Sequence, residues 1–489
     1  MDAGDLVRAA AGLEAEIARH PESADAHYVL GLVRERQRDL PGAVHAYETA
    51  IHHAPDMAEA RDRLGFVLGQ QGKIAEAIAQ FERAVQLRPD LFDAQYHLGA
   101  TRWYAQDFER ALPALQAAVT LRPNHAEARY YLGLTLKQRG QLGAAIDQLC
   151  EASRLNPGIA VVQMRLGAAL QEAGDLDGAI AHLEAAVRID PALTGARNSL
   201  GLAFSQKGRG GEAVAVLEAV AKDEPGFFAA RLNLGAALMQ QGDLDRAVSV
   251  YRALVEADGS NAEAFYNLGL ALKQKDDFTG AEAELRRAMR LDSKLPDAPF
   301  TLGVVLWQTG RGEEAVTLFR EAIARKPDYA EAHYMLGVLL KQLGNMDDAI
   351  AQFRTAVTER PEMAEAHLSL SQALQQKGDA KGARAARDEA ERLNRRTADA
   401  QASTFAVSVG IEKLKAGNRA GAIEQFREAL SLAADNPQAH YQLALALGQS
   451  APDEARRHFE DARRLAPYLR PPGAPAADCA VASTAVRGH

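Results

Sequence analysis

The sequence predicts an all-α fold, a solenoid of about thirteen stacked helical hairpins, and three observations carry that reading. A Leu-Gly pair recurs every 34 residues, at Leu30-Gly31, Leu64-Gly65, Leu98-Gly99 and onward to Leu336-Gly337, and Leu370-Ser371 is the one departure in eleven units. Twelve residues after each glycine-series position stands an alanine, from Ala43 and Ala77 through to Ala383. Four further on lies a large apolar residue in the first ten units, such as Tyr47, Phe81, Leu149 or Phe353. Proline closes eight of the eleven units, at 55, 89, 123, 157, 191, 225, 327 and 361. Glycine is 39 of 489 residues, so ten hits in one chosen register have a chance probability on the order of 10⁻¹¹.

The unit from Ala126 to Ile159 shows why the pattern means a hairpin. AEARYYLGLTLKQR carries apolar residues at helical spacing, Gly140 supplies a turn, and LGAAIDQLCEASRL forms a second amphipathic stretch. Asn156-Pro157 ends it, because proline cannot continue the hydrogen-bond ladder. Glycine inside a helix costs about 0.5–1 kcal/mol against alanine. Its recurrence therefore needs an offsetting gain, and close helix approach at Gly133 and Ala145 provides it. One hairpin cannot bury its apolar face alone, so neighbours must stack.

In chain order, residues 1–23 read as a capping half-repeat that ends at Pro21, and residues 24–397 hold eleven repeats. Residues 398–402 read as an irregular insertion within RLNRRTADAQAS, and the discontinuity around 395–402 is the best candidate hinge or subdomain boundary. Residues 403–470 hold two degenerate repeats, marked by Gly410, Ala422 and Phe426 and then by Leu443, Ala455 and Phe459. The Pro- and Ala-rich stretch 471–489 is expected to be a disordered tail.

Composition limits the partners. A formal net charge of −9 opposes nonspecific attraction to phosphate backbones, so no nucleic acid is expected. No apolar run reaches the roughly 18 residues of a membrane span, which predicts a soluble chain without membrane insertion. The N-terminus lacks a basic region followed by an apolar core, and cytoplasmic location is the default. Cys150 and Cys479 lie far apart without metal-type spacing. That suits a reducing compartment and argues against a disulfide framework, with Cys150 buried and Cys479 an exposed thiol.

The L-G, A-x3-large apolar and P series resembles the tetratricopeptide repeat (TPR) family over nearly the whole chain. The resemblance implies a right-handed superhelix and a concave groove lined by positions 2, 5, 9, 12 and 13 of each repeat, counted from Ala24, Ala58, Phe92, Ala126 and so on. Position 5 holds Tyr96, Tyr130, Tyr266, Phe300 and Tyr334, and position 12 holds Trp103, Trp307, Lys137, Lys273 and Lys341. The uninterrupted array also resembles the repeat region of O-linked N-acetylglucosamine transferases, without a catalytic domain. The asparagine ladder of those proteins at position 6 survives here as Asn233 and Asn267. Aromatic faces flanked by amide and ammonium donors suit an extended peptide.

No GxxxxGK[ST], HExxH, CxxC or CxxCH occurs, so no catalytic residue, metal ligand set or cofactor is assigned. The expected function is a non-enzymatic scaffold that binds a protein or extended peptide, with self-association through the solenoid ends as a further possibility. The alternative is a recognition subunit of a separately encoded enzyme or secretion system, such as glycosyltransferase or envelope-polymer machinery.

Overall fold

The structure, a computed structural model, describes residues 3–469. The expected tail at 471–489 and Cys479 lie outside the described residues. Among the described residues there are twenty-six α-helices and one 3-10 turn, with no strand. The chain divides into two compact units, one up to Asp190 and one from Pro191.

The first unit opens with α1 (Ala3–Arg19) and continues as five hairpins: α2 (Ala24–Arg36) with α3 (Leu40–His53), α4 (Ala58–Gln70) with α5 (Ile74–Leu87), α6 (Phe92–Tyr104) with α7 (Phe108–Leu121), α8 (Ala126–Gln138) with α9 (Leu142–Leu155), and α10 (Ala160–Glu172) with α11 (Leu176–Ile189). Each helix packs on the next, and the first helices α2, α4, α6 and α8 also touch in succession. They form one continuous face.

The second unit repeats the plan with α12 (Thr194–Gln206) and α13 (Gly210–Asp223), α14 (Phe228–Gln240) and α15 (Leu244–Ala257), α16 (Ala262–Gln274) and α17 (Phe278–Leu291), α18 (Asp297–Gln308) and α19 (Gly312–Arg325), and α20 (Ala330–Gln342) and α21 (Met346–Glu359). Then α22 (Ala364–Gln376) pairs with the first part of α23 (Ala380–Lys415), the rest of α23 with α24 (Arg419–Leu432), and α25 (Pro437–Leu447) with α26 (Pro452–Leu465).

The α8–α9 hairpin shows the seam. A Cβ built on Gly133 would stand 2.8 Å from Leu149 Cγ and 3.1 Å from the Ala145 carbonyl oxygen, so only glycine fits without movement. Gly140 turns the chain at φ +72°, a region that side chains disfavour. Second helices begin on capping residues such as Asp107, Asp243 and Asp277, whose carboxylates accept from the amide three residues on.

A polar latch recurs beside this apolar seam. The residue at position 4 reaches the carbonyl six residues back, closing the preceding turn: Arg61 to Pro55, Gln95 to Pro89, Gln163 to Pro157, His333 to Pro327 and His440 to Ala434. In several hairpins its other polar atom meets a residue on the second helix, as in Arg61–Gln80, Arg129–Gln148, Gln163–His182 and His333–Gln352, at 2.7–3.2 Å. The carbonyls orphaned at the turn are thereby satisfied, and the two helices are held in register.

One expectation needs correction. Residues 398–402 are not an irregular insertion: α23 runs unbroken across them for 36 residues. The cause is compositional, since the closing proline is replaced by Arg395 and the stretch around it lacks Gly and Pro but is rich in Ala and Arg, good helix formers. Cys150 is fully buried, as expected.

Candidate peptide-binding surface

On the first-helix face of the first unit, α4, α6 and α8 enclose an open cavity of about 590 Å³. Its walls are Phe66 and Gly69 from α4, Tyr96, His97, Thr101 and Tyr104 from α6, and Glu127 and Tyr131 from α8. The rings are mutually braced. His97 lies 5.2 Å from Phe66 and 5.4 Å from Tyr96, and Tyr131 lies 5.8 Å from Tyr104, centroid to centroid.

Polar contacts fix these rings. The Tyr96 hydroxyl donates to Glu127 Oε2 at 2.9 Å, the Tyr104 and Tyr131 hydroxyls share a hydrogen bond at 2.8 Å, and His97 Nδ1 sits 2.8 Å from Oδ1 of the buried Asp62. Burial raises the Tyr96 and Tyr131 phenols well above their ordinary range, with Glu127 adding to the effect at Tyr96 and Tyr104 at Tyr131. Both stay neutral through the physiological range. A smaller cavity of about 220 Å³ continues from Tyr96 and Tyr131 past Tyr130 to Ile159, Val161 and Val162. The apolar surface therefore extends toward α10.

The sequence-assigned residues divide between this cavity and other environments. Tyr96 and Tyr130 line the two cavities. Trp103 turns into the seam instead, against the core of Leu112, Leu132 and Leu136, where its buried Nε1 meets no acceptor. Lys137 pairs with Glu172 at 2.9 Å.

In the second unit, Asn233 donates to Asn198 Oδ1 at 2.9 Å, and the Tyr266 hydroxyl lies 3.5 Å from Thr301 Oγ1. Phe300 stacks toward Phe319 and Tyr329, and Tyr334 toward Phe353, so these position-5 rings cover their own hairpins. Asn267 and Lys273 are half-buried. Trp307 is different: its Nε1 donates to Gln342 Oε1 at 3.0 Å, and it borders a cavity of about 560 Å³ with Arg311, Glu314 and Leu339. Lys341 donates to Gln372 Oε1 at 3.1 Å.

Phe66, His97, Tyr104 and Tyr131 were not singled out from sequence. They occupy positions 9, 6, 13 and 6, and the available signal was density: Tyr96, Tyr104, Tyr130 and Tyr131 all fall within two adjacent first helices.

Comparison with known families finds tetratricopeptide repeat models matching residues 1–60, 96–158, 198–262, 237–296, 300–361, 334–401 and 410–470, with related repeat models matching 67–103 and 160–193. No curated protein matches the chain. Among solved structures, MamA from Desulfovibrio magneticus RS-1 is 25% identical over 35% of this chain and 96% of its own, with a TM-score of 0.33. YrrB, described as a TPR protein with an unusual peptide-binding site, is 26% identical over 38% of this chain and 95% of its own, with a TM-score of 0.35. The Cut9–Hcn1 hetero-tetramer of the APC/C is 15% identical over 94% of this chain and 96% of its own, with a TM-score of 0.35.

Proposed function

The chain belongs to the tetratricopeptide repeat family, and on that premise we propose that it is a non-enzymatic scaffold whose first unit seats an apolar or aromatic side chain of an extended peptide among Phe66, Tyr96, Tyr104 and Tyr131. The aromatic cavity across α4, α6 and α8 carries this reading. At about 590 Å³ it is large enough for one bulky side chain and its neighbours, and its rings brace one another while Tyr104 stays exposed. Tyr104 is 64% exposed although it is large and mostly apolar, which fits a residue that becomes covered on binding. Gln70, Thr101 and Glu127 at the rim supply groups that can pair with a peptide backbone. Trp307 and Lys341 give the second unit a separate contact surface of similar chemistry.

Among the described residues, no helix is long and apolar enough to cross a membrane. The proposed partner is met through the exposed rings.

The test uses a peptide selected from a random displayed library against the full chain, with affinity read by fluorescence anisotropy. Tyr104→Ala removes an exposed ring and leaves the seams intact. It should weaken binding about ten-fold, a loss of about 1.4 kcal/mol, with helicity unchanged. An affinity unchanged in Tyr104→Ala would refute the assignment.

A further inference from the structure

The last hairpin builds the polar latch from different chemistry. In four earlier hairpins at least one partner in the interhelical latch is a glutamine, Gln80, Gln148, Gln163 or Gln352. An amide can present either its oxygen or its NH₂, so it satisfies whatever faces it. In the α25–α26 hairpin both partners are imidazoles, His440 and His458, with their Nδ1 atoms 2.9 Å apart.

The outer nitrogens limit how that contact can be satisfied. His440 Nε2 lies 2.9 Å from the Ala434 carbonyl oxygen, which can only accept, so this nitrogen carries the proton and Nδ1 presents a lone pair. His458 Nε2 faces Glu454 Oε1 at 3.9 Å. A proton on that nitrogen would leave the second Nδ1 lone pair aimed at the first. Either His458 Nδ1–H donates to the His440 lone pair, or two converging lone pairs hold a positive centre between them.

A third ligand stands in place. Asp461 lies one helical turn beyond His458 on the same face of α26, and one oxygen of its carboxylate and both imidazoles offer ligand atoms within 4.8 Å of one another. We propose that His440, His458 and Asp461 form a Zn²⁺-class metal site that clamps α25 to α26 at the last hairpin.

Two imidazole nitrogens on one tetrahedral zinc, each at about 2.0–2.1 Å, stand about 3.3 Å apart. The observed 2.9 Å needs only a small opening to reach that geometry. The outer contact of His440 follows the usual pattern for metal-bound histidine, its distal N–H pointing at the Ala434 carbonyl, and Glu454 stands 3.9 Å from the distal nitrogen of His458. Glu454 is itself held by Arg427 at 2.9 Å, and Arg464 holds Oδ1 of Asp461 at 2.8 Å. His440 is buried while His458 and Asp461 remain partly exposed, so water can complete the coordination shell. The two-nitrogen, one-oxygen donor set suits zinc and its neighbours over calcium or magnesium.

The test titrates metal-free full-length chain with Zn²⁺ by calorimetry, and with Co²⁺ by visible absorption. The wild type should take up one equivalent and show a higher midpoint for the last unfolding step. His458→Gln installs the residue that other hairpins use at this place, so the latch and fold persist while one ligand is lost. Asp461→Asn removes the carboxylate and leaves both imidazoles. Each should lower affinity at least about ten-fold without loss of helicity. Absence of saturable binding in the wild type, or an affinity unchanged in His458→Gln, would overturn the assignment and leave a proton shared between the two rings.

Discussion

Replacing Gly133 by alanine sets two opposed effects against each other, and the structure fixes which one wins. Alanine in a helix interior is favoured over glycine by about 1 kcal/mol. The new methyl, however, would meet Leu149 Cγ at 2.8 Å and the Ala145 carbonyl oxygen at 3.1 Å. A leucine Cγ is not the free end of a side chain, and the carbonyl belongs to the backbone of α9, so relief requires the α8–α9 seam to open. Overpacking of this kind costs about 1–3 kcal/mol, which leaves a net loss of about 1 kcal/mol.

Gly69 in α4 is the control. A Cβ there would find its nearest neighbour, Ala77 Cβ, at 3.9 Å, an ordinary contact. Gly69→Ala should therefore stabilise by about 0.5–1 kcal/mol. Urea unfolding followed by circular dichroism reads both variants, and hydrogen exchange of the α8 and α9 amides localises the effect, since repeat arrays need not unfold in one step. Stabilisation by both alanines would refute the claim that glycine is present to let the helices touch.

Two further outcomes follow from single sites. His125 caps α8 by accepting the Ala128 amide on Nδ1 at 3.1 Å, which requires a neutral ring, and burial against Phe92 and Tyr96 lowers its pKa. The unfolded chain then binds the proton more readily. The cap's contribution, at most about 1 kcal/mol, is present above the unfolded value of about 6.5 and is lost as pH falls below it. His125→Asn should keep the cap and remove that part of the decline in urea midpoint between pH 7.5 and 5.5; an identical decline in both proteins would contradict the role. In α23, Ala400→Pro should cost about 3 kcal/mol, read as lost amide protection across 396–404, whereas a change within about 0.5 kcal/mol would mean that the stretch is not a working helix.

The hairpins and their seams were legible because each is written more than ten times. Gly133, Ala145 and Leu149 meet as the period implies, and the positive-φ turn at Gly140 follows from its place between two amphipathic stretches. The irregular insertion was misread because a lost proline looks like a lost repeat, whereas Arg395 and its neighbours simply let two helices fuse.

The surface was only partly legible, since period places a residue on a face without saying what lies opposite. Tyr334 finds Phe353 beneath it and packs, while Tyr96 borders open space beside His97 and Tyr131. Trp103 and Trp307 share position 12, yet one turns inward toward Leu132 and the other reaches across to Gln342. His440 and His458 are eighteen residues apart on different helices, a spacing that no linear motif captures.

The measurement that bears most directly on the binding surface is a crystal structure of the full chain with the selected peptide. The account predicts a peptide lying across α4, α6 and α8, with one side chain packed among Phe66, Tyr96, Tyr104 and Tyr131. A peptide seated instead on the second helices α5, α7 and α9, with that cavity unchanged, would contradict it.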